Sequence, residues 1–451
     1  MDNRAVDPLR ALLLEADWSA LEHAYGPASD TPFHLLALVG DDREARSQAL
    51  AHLDAAILHQ GSSCSATAPA ARVVAQLLSD PRTAELVEDV FPWDPEPRPL
   101  RLALLGFLAG VAEACRFGIP HQQLLAVAYP PDRDEAELQR IDRDRRAAIE
   151  ELGGDAATRL LVDKVEPPPG LLLASEDEQY GEAMEARDVL ACRQVSGELL
   201  ERVSPFLDHA DQQVRAHALN VVVAVLADPG RAAAVPALAR RLEAVAAAWP
   251  SMRERATVAI MLGRLGVRPS GLLADAHPAV RACAALAPAM ADDPRAISEL
   301  LSALVDPRTT DGWFEEPLPG MDGWFRFALV QAVVARVDDF AELLPAALAV
   351  VPLASSYTVD FDWGPLLQAA FPQPYAEGAP PSAVQHAFLA ALVEHAALWE
   401  GCANPMGWLL RAGLPQDRDG LRQLLNRGGH AAAPAAQPSP PGPTSRSATE
   451  P

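Results

Sequence analysis

Residues 211–226 read DQQVRAHALNVVVAVL. The stretch opens on a helix-capping residue, Asp211, and continues with two variable residues, an apolar residue, Arg215, two more variable residues and a second apolar residue. One face of the predicted helix then carries Val214, Ala218, Val222 and Val225. A helix with a continuous apolar face is stable when that face packs against another helix.

The same pattern recurs along the chain. Its copies, close and loose, begin at Asp42, Pro97, Asp211, Ser251, His277 and Asp322. From Arg215 to Arg326 the arginines of successive copies are 40, 26 and 45 residues apart. Repeats of this length are typical of helical solenoids, in which each unit packs only on its neighbours. We therefore predict an all-α fold, an α-solenoid (superhelix) of stacked antiparallel helix pairs.

Composition narrows the class of partner. The chain has 451 residues, of which 49% are hydrophobic and only 6% aromatic, and its formal net charge is -24. This composition favours helices and is rich enough in apolar residues for a continuous core. A strongly acidic surface repels phosphate groups, which argues against binding to nucleic acid or to an anionic membrane. A basic protein is the partner that this charge favours.

Cysteine usage and hydropathy indicate the compartment. The five cysteines are widely spaced and form no C-x-x-C pair, which argues against a disulfide framework and against a zinc site. The opening residues show no signal peptide, and the longest apolar stretches, 102–111 and 343–355, are too short to span a bilayer. We therefore expect a cytoplasmic protein.

Interruptions in the pattern divide the chain into four segments. Residues 1–130 and 195–427 carry the helical repeats, whereas residues 131–194 form an irregular insertion with a charged, solvent-exposed helix. Residues 428–451 are rich in alanine, proline and serine, a composition that predicts a disordered tail.

The Asp-x-x-apolar-Arg pattern resembles HEAT repeats, and the resemblance covers about three-quarters of the chain. In that family the turn aspartate and the helix arginine are thought to form a ladder between successive repeats. The resemblance implies this role for Asp42 and Arg46, for Asp211 and Arg215, and for Asp322 and Arg326. Serine and histidine replace the acid at 251 and 277, which interrupts the implied ladder.

The opening of the chain, from Trp18 to Gly61, also resembles uncharacterised actinobacterial HEAT-repeat proteins. Some of those relatives are suspected of acting as immunity or adaptor proteins beside toxin systems. The resemblance therefore implies a binding role in the cytoplasm.

Enzymes with HEAT-like folds are the alternative class of protein. A di-iron hydroxylase of this kind uses paired His-Glu dipeptides, whereas this chain has only the isolated, reversed pairs Glu22-His23 and Glu394-His395. A base-excision enzyme needs a basic groove, which a net charge of -24 does not suggest, and no motif supports a lyase. No P-loop, G-x-S-x-G or G-x-G-x-x-G motif occurs. We predict a non-enzyme with no metal or cofactor; an enzyme acting on a small molecule or modified base is the alternative.

Two loop regions combine aromatic and acidic residues. Residues 306–364 contain ten acids and three bases, an excess of seven negative charges, together with nine aromatic residues. Exposed rings could anchor a partner while the acids steer a basic one, and the alternative is that the rings pin the loops to the core. The predicted partner-binding residues, which act together with the concave face, are Trp313, Phe314, Glu315, Glu316, Trp324, Asp360, Asp362 and Trp363.

Overall fold

The computed structural model describes residues 8–87, 97–115, 119–152, 164, 166–321, 323–376, 380–401 and 404–429. Within these ranges the chain is all-α, as predicted, and its only strands are two-residue pairs. Asp322 and most of the predicted tail, residues 430–451, lie outside the described residues. The chain divides into two compact units. Unit 1 runs to Ala289 and includes Leu318–Gly320, and unit 2 takes the rest from Met290.

Unit 1 contains thirteen α-helices among its described residues. They are α1 Pro8–Glu15, α2 Thr31–Ala37, α3 Arg43–His52, α4 Thr67–Leu77, α5 Leu100–Ala114, α6 His121–Ala128, α7 Glu135–Leu152, α8 Pro169–Glu176, α9 Glu178–Val203, α10 Gln212–Leu226, α11 Val235–Ala248, α12 Met252–Arg264 and α13 Pro278–Ala285. The antiparallel strand pairs are β1 Glu22–His23 with β2 Gly26–Pro27, and β3 Leu86–Val87 with β4 Arg98–Pro99.

Unit 2 contains eight further α-helices in its described part. They are α14 Pro294–Val305, α15 Pro307–Asp311, α16 Phe325–Val334, α17 Phe340–Val350, α18 Trp363–Ala370, α19 Ala383–Glu394, α20 Asn404–Arg411 and α21 Arg418–Gly429. Its core forms where α14 packs on α16 and α17, α17 packs on α19, and α18 packs on α20.

Four of the six copies of the recurring pattern begin a helix at the predicted capping residue, whereas the helices of the copies at 97 and 322 begin after Pro99 and Trp324. Asp211 accepts hydrogen bonds from the backbone amides of Gln213 and Val214, at 2.7 and 3.4 Å, and so caps α10. Asp42 caps α3 in the same way. Even the divergent residues Ser251 and His277 cap their helices, through a hydroxyl and an imidazole nitrogen. These bonds satisfy amides that the first turn of a helix leaves without a partner.

The predicted insertion, 131–194, contributes to the main core of unit 1. Helix α9, which begins inside this segment, packs on α4, α5 and α6. Its Cys192 belongs to the same apolar cluster as α5 and α10, whereas Leu190 belongs to a smaller cluster with α6. Helices α7 and α8 pack on each other, and their small core around Leu138 also includes Tyr180 of α9. One helix of the charged segment is therefore central to the packing of unit 1.

Two helical patterns of the sequence are interrupted in the structure. The spacing of Trp18, Leu21 and Tyr25 predicts one helix, but β1 begins at Glu22 and the turn to β2 uses Gly26 with a φ of 133°. The pattern at 404–428 predicts one helix, but the structure has two, α20 and α21, because Gly413 with a φ of 69° ends the first.

Among the described helices, none is by itself long and apolar enough to cross a membrane. The pair Gln212–Leu226 and Pro229–Ala246 meets the length and composition requirements together, but it is bent by 118° at its break.

Candidate functional site

The arginines of the repeated pattern make the same local contact in three consecutive copies of unit 1. The guanidinium of Arg215 donates to the carbonyl oxygens of His209 and Ala210, at 2.6 and 2.8 Å. In the next two copies, Arg255 and Arg281 make the equivalent bonds to the carbonyls six and five residues before them. The arginine thus fixes the turn that leads into its own helix.

A second set of bonds links these arginines to acids further along the chain. Arg215 Nε donates to Glu254 Oε1 at 3.0 Å, and Arg255 Nε donates to Asp275 Oδ2 at 2.7 Å. The hydrogen bond from Arg255 holds the pKa of the Asp275 carboxyl below its usual value. An arginine ladder therefore exists, but its acids are not the turn aspartates that the resemblance implied. Asp211 is occupied in capping its own helix.

In unit 2 the corresponding arginine, Arg326, is buried between two carboxylates. Its backbone amide donates to Asp311 Oδ1 at 2.9 Å, its guanidinium pairs with Asp311 Oδ2, and Asp362 Oδ2 lies 3.6 Å away. Burial raises the pKa of Asp362 to about 6. The three side chains join the end of α15, the first turn of α16 and the start of α18.

The structure shows that part of the predicted partner-binding set is buried. Asp362 and Trp363 are fully buried, and the Trp363 indole donates to the Ser355 carbonyl at 3.1 Å, so neither side chain can reach a partner. Trp313 and Phe314 are half-buried and pack against Phe325, with ring centroids 5.9 and 5.3 Å apart. These four residues pin the loops to the core, as in the alternative interpretation.

The remaining predicted residues are exposed and lie beside further exposed rings. Trp324 is 55% exposed and Phe361 is 52% exposed. Phe327 stacks on Phe361 with a centroid distance of 5.2 Å. The Arg326 guanidinium carbon lies 5.6 Å from the Trp324 ring centroid and 4.7 Å from that of Phe327, so the three rings are neighbours.

Exposed carboxylates lie on the same chain segments as these rings. Asp360 precedes Phe361 directly, and Glu315 and Glu316 follow Phe314, whose ring packs on Phe325 next to Trp324 in the chain. We call the group the aromatic–acidic surface; it consists of Trp324, Phe327, Phe361, Glu315, Glu316 and Asp360.

Trp408 and Tyr357 extend this region beyond the predicted set. The Trp408 indole donates to Asp360 Oδ1 at 2.6 Å, and the Arg411 guanidinium lies 4.0 Å from the Trp408 ring centroid. Tyr357 is 67% exposed on the loop that carries Asp360. Tyr357 and Phe361 are visible in the sequence as loop aromatics, whereas the link from Trp408 to Asp360 depends on tertiary packing.

Among the exposed residues of this region, acids outnumber bases by a larger ratio than they do in its sequence. Among the described residues of 306–364, Arg308 is the one exposed arginine, because Arg326 is buried with its carboxylates and Arg336 is half-buried. Seven acids of the same segment are exposed: Asp306, Glu315, Glu316, Asp338, Asp339, Glu342 and Asp360. The solvent-facing charge of the segment is therefore strongly negative.

Unit 1 contains a cluster of charged groups that sequence reasoning missed. Arg145 on α7 pairs with Glu22 on β1, and its Nε donates to the Tyr180 hydroxyl at 2.9 Å. Tyr180 in turn donates to Asp142 Oδ1 at 2.8 Å. Burial raises the pKa of the nearby Asp188 to about 7, and the Glu22 carboxylate adds to the effect. The cluster joins β1, α7 and α9, which are far apart in the sequence.

Comparison with protein-family models, with curated proteins and with solved structures finds no match.

Proposed function

We propose that the chain is a non-catalytic scaffold of stacked, HEAT-like helix pairs that binds a basic protein partner through the aromatic–acidic surface. The observation that carries the proposal is the pair of exposed rings, Trp324 at 55% and Phe361 at 52%, beside exposed carboxylates. An adaptor or immunity role is consistent with such a surface.

The rings supply the binding energy in this proposal. Aromatic side chains are common hot spots of protein interfaces, because each buries a large apolar area at little cost in side-chain entropy. Phe327 stacks on Phe361, and Arg326 lies against both Trp324 and Phe327. Because Arg326 is itself fixed by Asp311, these rings are held in place before a partner arrives.

The carboxylates supply specificity for a basic partner. Exposed acids raise the association rate of a cationic surface and repel an anionic one. Asp360 is next to Phe361 in the chain, and Glu315 and Glu316 are exposed on the loop that precedes Trp324. In this proposal they meet the arginine or lysine side chains of a partner that covers the rings. Binding should therefore weaken with salt, since the Debye length falls from about 10 Å at 0.1 M to about 3 Å at 1 M.

The first experiment measures the binding of a fluorescent, arginine-rich peptide to the full chain by anisotropy. Replacing Trp324 and Phe361 together by alanine should weaken binding at least about tenfold, the effect of losing about 1.4 kcal/mol. Phe33→Ala is the matched control, since it removes a ring that is 64% exposed in unit 1. Absence of peptide binding to the wild type, or unchanged binding in the double variant, would contradict the proposal.

The second experiment distinguishes peptide binding to the aromatic–acidic surface from attraction to the net charge of the whole chain. The triple variant Glu315→Gln, Glu316→Gln, Asp360→Asn should bind the peptide more weakly and with a shallower salt dependence. A control triple variant neutralises three exposed acids of α9, Glu182, Glu185 and Glu201, and changes the net charge equally. If both variants lose the same affinity, the peptide responds to total charge and the proposed surface is not the binding site.

A further inference from the structure

Two histidines and an aspartate converge in unit 1, far in the sequence from the aromatic–acidic surface. The potential metal-ligand atoms of His23, Asp30 and His52 all lie within 4.8 Å of one another. His23 Nε2 is 3.2 Å from Asp30 Oδ1, and the His23 and His52 rings meet edge to face with centroids 5.2 Å apart. One carboxylate oxygen and two imidazoles therefore face a common point.

Three elements bring these side chains together. His23 lies on β1, Asp30 ends the one-turn 3₁₀ helix Ala28–Asp30, and His52 is the last residue of α3. Backbone hydrogen bonds join the hairpin to the end of α3, since the Ala24 amide donates to the Ala56 carbonyl at 3.0 Å. The potential metal ligands therefore lie on separate elements that backbone hydrogen bonds hold together.

The imidazole of His52 is half-buried beside a second histidine. His34 stacks on it at a centroid distance of 4.2 Å and an interplanar angle of 16°. Among the described residues, the buried Nδ1 of His34 has no hydrogen-bond partner, which adds to the polar character of the pocket. Thr31 Oγ1 lies 3.0 Å from His52 Nε2.

We propose that His23, Asp30 and His52 bind a divalent metal ion of the zinc class. Two imidazoles and one carboxylate form a donor set that suits Zn²⁺ and its first-row neighbours, and they leave a coordination position for solvent. Bonds of about 2.0–2.2 Å place ligand atoms closer together than the present separation allows. Asp30 can supply the required inward movement, because its side chain is 52% exposed.

Two existing hydrogen bonds of His23 must break when the ion binds. The bond between His23 Nε2 and Asp30 Oδ1, at 3.2 Å, is replaced by bonds to the ion. The second is the bond that the Tyr25 amide donates to His23 Nδ1 at 3.1 Å. Coordination through Nε2 moves the imidazole proton of His23 to Nδ1, which then cannot accept from Tyr25. Tyr25 lies in the β1–β2 turn next to Gly26 and is 45% exposed, so the turn can release it. Metal binding should therefore change the amide signal of Tyr25.

The test is isothermal titration calorimetry of chelator-treated full-length protein with ZnCl₂, supported by the visible absorption of a Co²⁺-substituted sample. We expect one ion per chain, a Co²⁺ spectrum of low-coordinate nitrogen and oxygen ligation, and no comparable binding of Mg²⁺, which prefers oxygen ligands. Asp30→Asn and His23→Gln should each lower the Zn²⁺ affinity at least about tenfold, since even loss of an outer partner can cost that much.

Controls keep the result interpretable. His121→Gln removes an exposed histidine elsewhere in unit 1 and should leave the affinity unchanged. His52 is partly buried, and its replacement can disturb folding. The Zn²⁺ affinity of the Asp30→Asn variant is therefore the decisive measurement, and circular dichroism confirms that each variant is folded. Lack of Zn²⁺ binding by the wild type, or equal losses in Asp30→Asn and His121→Gln, would overturn the proposal.

Discussion

Arg215 and Glu254 form an ion pair that joins the first turns of α10 and α12. Arg215 Nε donates to Glu254 Oε1 at 3.0 Å, and the two side chains are only 18% and 8% exposed. The next residue, Arg255, repeats the arrangement with Asp275. Each arginine thus connects its own turn to the following helix pair.

Replacing Glu254 by leucine should destabilise the protein by about 3–5 kcal/mol, because Arg215 would keep a buried charge without its carboxylate. Chemical denaturation measures the change. Arg295→Gln is the control, since the Arg295–Asp293 pair is solvent-exposed on the arginine side, at 76%, and should contribute about 0–1 kcal/mol. Adding Arg215→Met to the Glu254 variant should restore part of the stability, and a further loss in the double variant would contradict the ion-pair account.

Gly364→Ala should destabilise unit 2 by about 1–3 kcal/mol through overpacking. A Cβ atom at Gly364 would lie 2.5 Å from the Val359 carbonyl oxygen and 2.7 Å from two ring atoms of Trp408. Displacement of Trp408 should also weaken peptide binding, since its indole holds Asp360.

Gly407→Ala is the matched control on α20. Its Cβ would meet nothing within 4 Å, so the free energy of unfolding of this variant should rise by about 0.5–1 kcal/mol. Similar melting temperatures for the two variants would argue against close packing at Gly364.

Local features of this fold could be predicted from the sequence, because a helix cap and the amides that it bonds lie within four residues. Asp42, Asp211, Ser251 and His277 all cap the helices that the pattern assigns to them. The all-α class followed from the same short-range signals.

Partners that are distant in sequence could not be predicted. Nothing in the spacing distinguishes Glu254, which pairs with Arg215, from the many other acids of the chain. Asp362 and Trp363 look like loop residues, yet tertiary packing buries them, while Trp324 and Phe361 remain exposed. His23, Asp30 and His52 are too irregularly spaced to form a motif, and only the hairpin brings them together.

Asp188→Asn should raise stability above neutral pH and change it little in acid. The folded-state pKa of Asp188 is about 7, above the ordinary value of 3.8. Its contribution to stability is therefore present in full below pH 3.8 and is lost as the pH rises to about 7. Asparagine removes that loss, so the melting temperature of the variant should exceed that of the wild type at about pH 8 and match it near pH 4. A lower melting temperature at the higher pH would mean that Arg145 and Arg146 compensate the ionised carboxylate.

The contribution of His52 to stability depends on pH in the opposite direction to that of Asp188. The variant His52→Gln should therefore lose less stability in acid than the wild type. Its pKa falls from 6.5 in the ordinary case to about 4 in the folded chain, so its contribution is present in full above pH 6.5 and is lost as the pH falls to about 4. Denaturation curves across this range should therefore show a smaller loss of stability in the variant than in the wild type, with His121→Gln as the control. Parallel curves would contradict a buried, neutral His52.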